Sequence, residues 1–94
     1  MITSFADRET ERLFQRHPVR RFPAELHRAM LRKLVQLDAV TTLDELRVPP
    51  GNRLEKLKGD RAGQYSIRVN DQWRVCFRWK DGASQDVAIV DYHY

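Results

Sequence analysis

The residues Asp91, Tyr92 and His93 bring together an acid, a phenol and an imidazole, three groups that can move protons. They directly follow the apolar run 87–90, which is typical of a β-strand, so the sequence predicts that a strand holds them in place. An unperturbed imidazole titrates near neutrality, which suits His93 to act as a base or as an acid. The pattern therefore indicates an acid–base site.

Cleavage of a phosphodiester is the chemistry that this set would serve. Without a metal, the reaction needs a base, cations that stabilise the phosphorane and an acid that protonates the leaving oxygen. In RNA the 2′-OH is a built-in nucleophile. Arg74 and Lys58 can supply the cationic contacts, while His93 moves the proton with help from Asp91 and Tyr92. The sequence shows no HExxH motif, no paired cysteines and no glycine-rich nucleotide loop, so no metal or other cofactor is expected.

Charge points to an anionic partner. The formal net charge is +4 and the sequence pI is about 9.6. The segment from Gly51 to Arg74 contains six basic residues and only three acids. No apolar run approaches the roughly 18 residues that a membrane span needs, and residues 1–5 lack the features of a signal peptide. Cys76 is the single cysteine, so no internal disulfide can form, and we expect a buried thiol in a cytoplasmic protein.

The 94 residues predict one domain, 1–94, with a helical first half and a sheet in the second. We expect a short strand over Ile2–Phe5, a helix over 7–16 and a second helix over 23–38. Thr41 or Thr42 would cap a further helical turn. The second helix would bury one apolar face made of Leu26, Met30, Leu34 and Leu37.

The second half alternates between apolar and polar residues, which predicts strands over 65–70, 73–80 and 86–92, with Asp81-Gly82 as a turn. A two-residue loop after Ile67-Arg68-Val69 would set apolar residues against charges. A three-residue loop over 70–72, in the left-handed conformation that Asn and Asp tolerate, instead places Ile67 opposite Val75. The sequence therefore predicts the odd-length loop.

That register also places Arg68 opposite Arg74, and like charges in a cross-strand pair are destabilising. A polyanion lying across the sheet would reverse the sign of this interaction. The alternative is that both arginines pair with nearby acids, for which Asp71 and Asp91 are the candidates.

The run 51–77, which contains "LKGDR", "SIRVN" and "QWR", together with the later "DYH" of 91–93, resembles the HigB branch of the RelE toxin superfamily. The resemblance covers essentially the whole chain. It implies a toxin of a type II toxin–antitoxin system that acts as a metal-independent mRNA interferase in the ribosomal A site. It also implies an α+β fold, in which two to three N-terminal helices pack on a mainly antiparallel sheet of four to five strands.

The resemblance assigns roles to positions of this chain. Lys58 matches the basic residue of "LKGD", Arg74 matches the arginine of "WR", and Gln72 lies where related toxins place a base-contacting amide. Some relatives carry a histidine where this chain has Glu55, and Tyr94 extends past the usual "DYH" end. Further basic residues are expected to bind the RNA backbone: Arg53, Lys56, Arg61, Arg68 and Arg78.

The expected partners are a HigA-type helix-turn-helix antitoxin and mRNA on the ribosome, with operator DNA bound only through the antitoxin complex and no membrane. Which group is base and which is acid stays open. A non-catalytic module that binds RNA, the ribosome or the antitoxin is the alternative. A DNA-binding protein in its own right is less favoured, because the core needs the apolar face of helix 23–38.

Overall fold

The computed structural model describes residues 1–92, so the predicted roles of His93 and Tyr94 lie outside the described residues. Two α-helices, α1 (Arg8–Phe14) and α2 (His27–Ala39), precede four strands that form one antiparallel sheet in sequence order. The strands are β1 (Glu55–Lys56), β2 (Tyr65–Arg68), β3 (Trp73–Lys80) and β4 (Ala83–Asp91). Four 3₁₀ turns connect these elements: Ala24–Leu26, Leu43–Arg47, Pro50–Asn52 and Gly59–Arg61. The predicted α+β class is confirmed.

Both helices are shorter than the sequence predicted. Asp7 caps α1, since its Oδ1 accepts a hydrogen bond of 2.7 Å from the Thr10 amide. The helix ends at Phe14 because Arg16 already adopts a left-handed conformation, with φ 67°. The second helix begins at His27 rather than at Pro23, since the Ala24–Leu26 turn intervenes.

The core lies between the helices and the inner face of the sheet. The predicted apolar face of α2 is confirmed at Met30, Leu34 and Leu37, whereas Leu26 is only partly buried. From the sheet, alternate residues such as Ile67 and Val75 fill the other half. Beyond α2, Thr42 caps the Leu43–Arg47 turn as predicted.

The β2–β3 hairpin has the predicted register, with Ile67 opposite Val75 and Arg68 opposite Arg74. The predicted reason for the loop was wrong, because none of residues 70–72 has a positive φ. Instead the Asn70 Oδ1 accepts hydrogen bonds from the amides of Gln72 at 2.9 Å and Trp73 at 2.8 Å. An Asx turn therefore closes the hairpin.

The β3–β4 hairpin turns at Asp81-Gly82, as predicted, and both residues have positive φ, as a type I′ turn requires. Because Lys80 pairs directly with Ala83, β4 begins three residues before the predicted Asp86. Asp86 instead lies in a bulge, with φ 51°, where two residues of β4 oppose one of β3.

The outer edge of β4 is covered by residues 1–10. The predicted strand over Ile2–Phe5 is reduced to two isolated parallel bridges, which join Ile2 to Ser84 and Phe5 to Val87. Further along, the fully buried Thr10 hydroxyl accepts a hydrogen bond of 3.0 Å from the Ile89 amide. These contacts hold the strand that leads to Asp91 and Tyr92.

We expect Thr10→Val to lower the free energy of unfolding by about 1–3 kcal/mol, because the buried Ile89 amide loses its acceptor while the side-chain shape is kept. Urea denaturation measures the change. Thr3→Val is the matched control: the Ser84 carbonyl that its hydroxyl binds keeps the Thr3 amide as a donor at 2.8 Å. Equal losses in the two variants would contradict the role given to Thr10.

Candidate active site

A cleft of about 500 Å³ lies on the outer face of the sheet, away from the helices. Its lining holds three arginines and two carboxylates, together with the amide of Asn70. The lining residues are Arg53, Glu55, Arg68, Asn70, Asp71 and Arg74. Three of the predicted RNA-binding or catalytic residues, all arginines, are therefore brought together. A concave site with converging cations suits an anionic ligand.

Arg74 contributes a cation to the cleft, although only 5% of the residue is exposed. Its contacts hold the guanidinium in one direction. Its Nη1 lies 2.7 Å from Glu55 Oε2 and its Nη2 donates to the Arg53 carbonyl at 2.9 Å. The guanidinium carbon also lies 5.8 Å from the centroid of the Tyr92 ring, within reach of a cation–π interaction. A buried charge needs such partners, and they fix the direction of the guanidinium.

Carboxylates offset the repulsion between Arg68 and Arg74. Arg68 forms an ion pair with Asp71, one of the two acids that the sequence suggested. The acid that pairs with Arg74 is Glu55, which was not among the acids that the sequence suggested. Because both arginines have acid partners, their cross-strand pairing by itself does not require a bound polyanion.

The loop that carries Arg53 and leads into β1 at Glu55 is anchored to α2 through Asn52, which is fully buried. The Asn52 Nδ2 donates to Gln36 Oε1 at 3.0 Å and to the Leu46 carbonyl at 3.1 Å, while its Oδ1 accepts from Lys33 Nζ. Burial, with a smaller contribution from the neighbouring Arg32, lowers the pKa of the Lys33 amine. Arg53 follows in a left-handed conformation, with φ 46°, which turns its carbonyl toward Arg74.

The tip of the β2–β3 hairpin is tied to the end of β4. Gln72 Nε2 donates to Asp91 Oδ2 at 3.1 Å, and the Tyr92 amide donates to the Gln72 carbonyl at 2.6 Å. Gln72, Asp91 and Tyr92, which were predicted to belong to one site, are therefore neighbours and reach Arg74 through Tyr92.

The other predicted basic residues do not line the cleft. Lys58 is exposed before the Gly59–Arg61 turn, and Lys56 alternates with Glu55 along β1, so it faces the opposite side. Arg61 donates to Gln64 Oε1 at 3.3 Å, and Arg78 Nε lies 3.5 Å from Asp86 Oδ2.

Cys76 is buried on the outer side of β3, as expected. Burial raises the pKa of its thiol, against the opposing effect of Arg61 and Arg74. Within residues 1–92, no group of three His, Cys, Asp or Glu side chains is arranged to hold a metal ion. None of the helices in this part of the chain has the length and apolar character to cross a membrane.

The fold and the cleft define a small α+β protein with a basic site on its sheet. A family model described as a RelE-like toxin of the type II toxin–antitoxin system HigB matches residues 3–93. The chain therefore belongs to the HigB family of RelE-like toxins.

Two relatives support this membership. The chain is 39% identical to the protein named Toxin HigB-1 of Vibrio cholerae over 97 residues, covering 100% of both chains. It is 32% identical to Endoribonuclease HigB of Proteus vulgaris over 93 residues, covering 99% of this chain and 100% of that one. Among solved structures, the YoeB–YefM complex from Staphylococcus aureus matches with a TM-score of 0.56 at 23% identity, covering 100% of this chain and 99% of the other. This likeness confirms the RelE-like fold.

Replacing Asn52 by alanine should lower the free energy of unfolding by about 1–3 kcal/mol, because Lys33 and the Leu46 carbonyl lose a buried partner. It should also broaden or shift the NMR signals of Arg53 and Arg74, since the loop is released from α2. The control is Arg47→Ala, which breaks only the exposed ion pair with Asp44 and should cost less than about 1 kcal/mol. Unchanged Arg74 signals in the Asn52 variant would contradict the anchoring role.

Proposed function

We propose that this toxin is an endoribonuclease that cleaves mRNA in the ribosomal A site through attack of the 2′-OH on the adjacent phosphate. The observation that carries the proposal is the convergence of Arg53, Arg68 and Arg74 with Glu55 in one cleft. The Proteus vulgaris relative is named an endoribonuclease, and its alignment covers 99% of this chain at 32% identity, which supports the same activity.

In the proposed complex, the scissile phosphate enters the cleft and competes with Glu55 and Asp71 for the arginines. Guanidinium groups bind phosphate oxygens in a bidentate manner, and Arg74 is already held in a fixed direction. Gln72 lies at the hairpin tip, where its amide can contact a base. Three predicted basic residues outside the cleft bind the RNA backbone further along: Lys56, Arg61 and Arg78.

The chemical step removes one proton from the attacking oxygen and adds one proton to the leaving oxygen. A base takes the proton of the 2′-OH, the 2′ oxygen attacks phosphorus, and the bond between phosphorus and the 5′ oxygen breaks. An acid then protonates that 5′ oxygen, which leaves a 2′,3′-cyclic phosphate and a 5′-hydroxyl. No water is consumed.

Two groups are proposed for the proton transfers. Glu55 lines the cleft and 48% of its side chain is exposed, so its carboxylate is placed to accept the proton of the 2′-OH. His93 follows Tyr92 in the sequence and is proposed as the partner acid or base, assisted by Asp91 and Tyr92. Arg74, with Lys58 as the second proposed cation, stabilises the negative charge of the phosphorane.

The proposed partner is a HigA-type helix-turn-helix antitoxin, through which operator DNA would be bound, and the proposed location is the cytoplasm. The YoeB toxin of Staphylococcus aureus was solved in complex with YefM, which supports a toxin–antitoxin partnership in this fold.

The activity is tested with mRNA on programmed ribosomes by mapping both ends of each product. We expect cuts in phase with the codons, cyclic phosphate ends, and no cleavage where a 2′-deoxynucleotide replaces the residue that precedes the cut. Cleavage of the deoxy substrate would rule out attack by the 2′-OH. Equal cleavage of free mRNA would rule out dependence on the ribosome.

Two cleft variants should slow cleavage without unfolding the protein. Arg74→Lys keeps the charge but loses the bidentate fork, and we expect a loss of about 10²–10³-fold, comparable to removal of a transition-state donor. Glu55→Gln removes the proposed base, and a loss of about 10²–10⁴-fold is expected. Lys80→Ala, at the exposed end of β3, is the control and should cleave like the wild type. Wild-type rates in both cleft variants would show that the reaction does not take place in the cleft.

The carboxylate partners of Arg68 and Arg74 favour one alternative function. If these ion pairs only stabilise the sheet, the protein is a binding module for RNA, the ribosome or the antitoxin. Protection of ribosome-bound mRNA without any cyclic phosphate end would support this alternative over catalysis.

A further inference from the structure

A second basic region lies in the helical half of the molecule. From residue 12 to residue 32 the chain holds six arginines and a single acid, Glu25. This excess is larger than that of the segment 51–74, and none of these arginines lines the cleft. The six residues are Arg12, Arg16, Arg20, Arg21, Arg28 and Arg32.

Three of these arginines, Arg16, Arg20 and Arg28, line an apolar depression, which we call the helical groove. Its larger part, of about 630 Å³, is lined by Pro18, Val19, Arg20, Phe22, Pro23, Ala24 and His27. A neighbouring part, of about 340 Å³, shares Pro18 and His27 and adds Leu13, Arg16, His17, Arg28 and Leu31. The shared residues place the two parts side by side, and both have an apolar lining with arginines at the edge.

The groove is preformed, because its loop is tied to α2. His27 Nε2 lies 3.1 Å from the Val19 carbonyl and 2.9 Å from the Phe22 carbonyl. The Phe22 ring packs edge-on against Trp73 with centroids 5.6 Å apart. A rigid site loses little conformational entropy when it binds a ligand, which favours recognition.

We propose that the helical groove binds an acidic, partly apolar segment of a partner protein. The floor can bury aliphatic side chains, while the exposed guanidiniums of Arg16, Arg20 and Arg28 can pair with carboxylates along the same segment. The charge of the rim and the apolar floor thus match two properties of one ligand. The inference does not rest on the ribonuclease activity.

A nucleic acid fits the groove less well. Binding of single-stranded RNA relies on exposed aromatic faces on which bases stack, together with a basic track for the backbone. Here the aromatic residue of the floor, Phe22, is 2% exposed, and its ring already contacts Trp73 and the Arg21 guanidinium. The other apolar residues of the lining are aliphatic, and they favour an aliphatic ligand: Leu13, Pro18, Val19, Pro23, Ala24 and Leu31.

Fluorescence anisotropy with a labelled synthetic peptide of alternating Glu and Leu residues tests the proposal on the full chain. We expect saturable binding that is lost when Gln replaces every Glu, or when Ser replaces every Leu. The double variant Arg20→Glu/Arg28→Glu should weaken binding by about tenfold or more, since two rim pairs become repulsive. Arg47→Glu makes the same kind of charge change outside the groove and should bind like the wild type.

A second variant distinguishes binding in the groove from a general effect of the protein's charge. Ala24 is exposed in the floor, and Ala24→Glu places a carboxylate there without disturbing the core. It should abolish binding while the far-UV circular dichroism stays unchanged. Absence of binding by the wild type, equal weakening in Arg47→Glu, or tighter binding of a single-stranded RNA oligonucleotide that Ala24→Glu also abolishes would each overturn the proposal.

Discussion

The burial of one charged group, the guanidinium of Arg74, constrains much of the outer face of the sheet. A cation that is 5% exposed is stable only if nearby groups compensate its lost hydration. Glu55 supplies the charge, and the Arg53 carbonyl supplies a second acceptor. Both lie in the short segment 53–55, which ends at the first residue of β1. The position of this segment is fixed by the hydrogen bonds of Asn52 to α2 and its neighbours. The site is therefore built from distant segments that meet at one buried charge.

The sequence predicted those features that depend on a local pattern. The register of β2 and β3 could be derived because only an odd loop sets Ile67 against Val75, and a slip of one residue would expose every apolar side chain. The Asp81-Gly82 turn and the apolar face of α2 follow from equally local chemistry. The β4 bulge at Asp86 has no such pattern, so the start of that strand was misplaced.

The residues of the candidate site that the sequence did not predict were missed for one physical reason. Glu55 lies 19 positions before the arginine that it neutralises, and Asn52 lies 16 positions after its partner Gln36. Nothing in the spacing of a loop asparagine or an exposed strand glutamate indicates contacts at such separations. Gln72, Asp91 and Tyr92, each predicted as a site residue, lie close together because the hairpin tip and the end of β4 become neighbours once the strands pair.

The covered edge of β4 limits how other chains can associate with this protein. Unpaired strand edges are the usual template for extending a sheet, in assembly as well as in aggregation. Here the bridges of Ile2 and Phe5, the Thr10 hydroxyl and the Arg21 guanidinium occupy the polar groups along that edge. The opposite edge, β1, is two residues long. Displacement of residues 1–10 would uncover a long strand edge that is open to pairing with another chain.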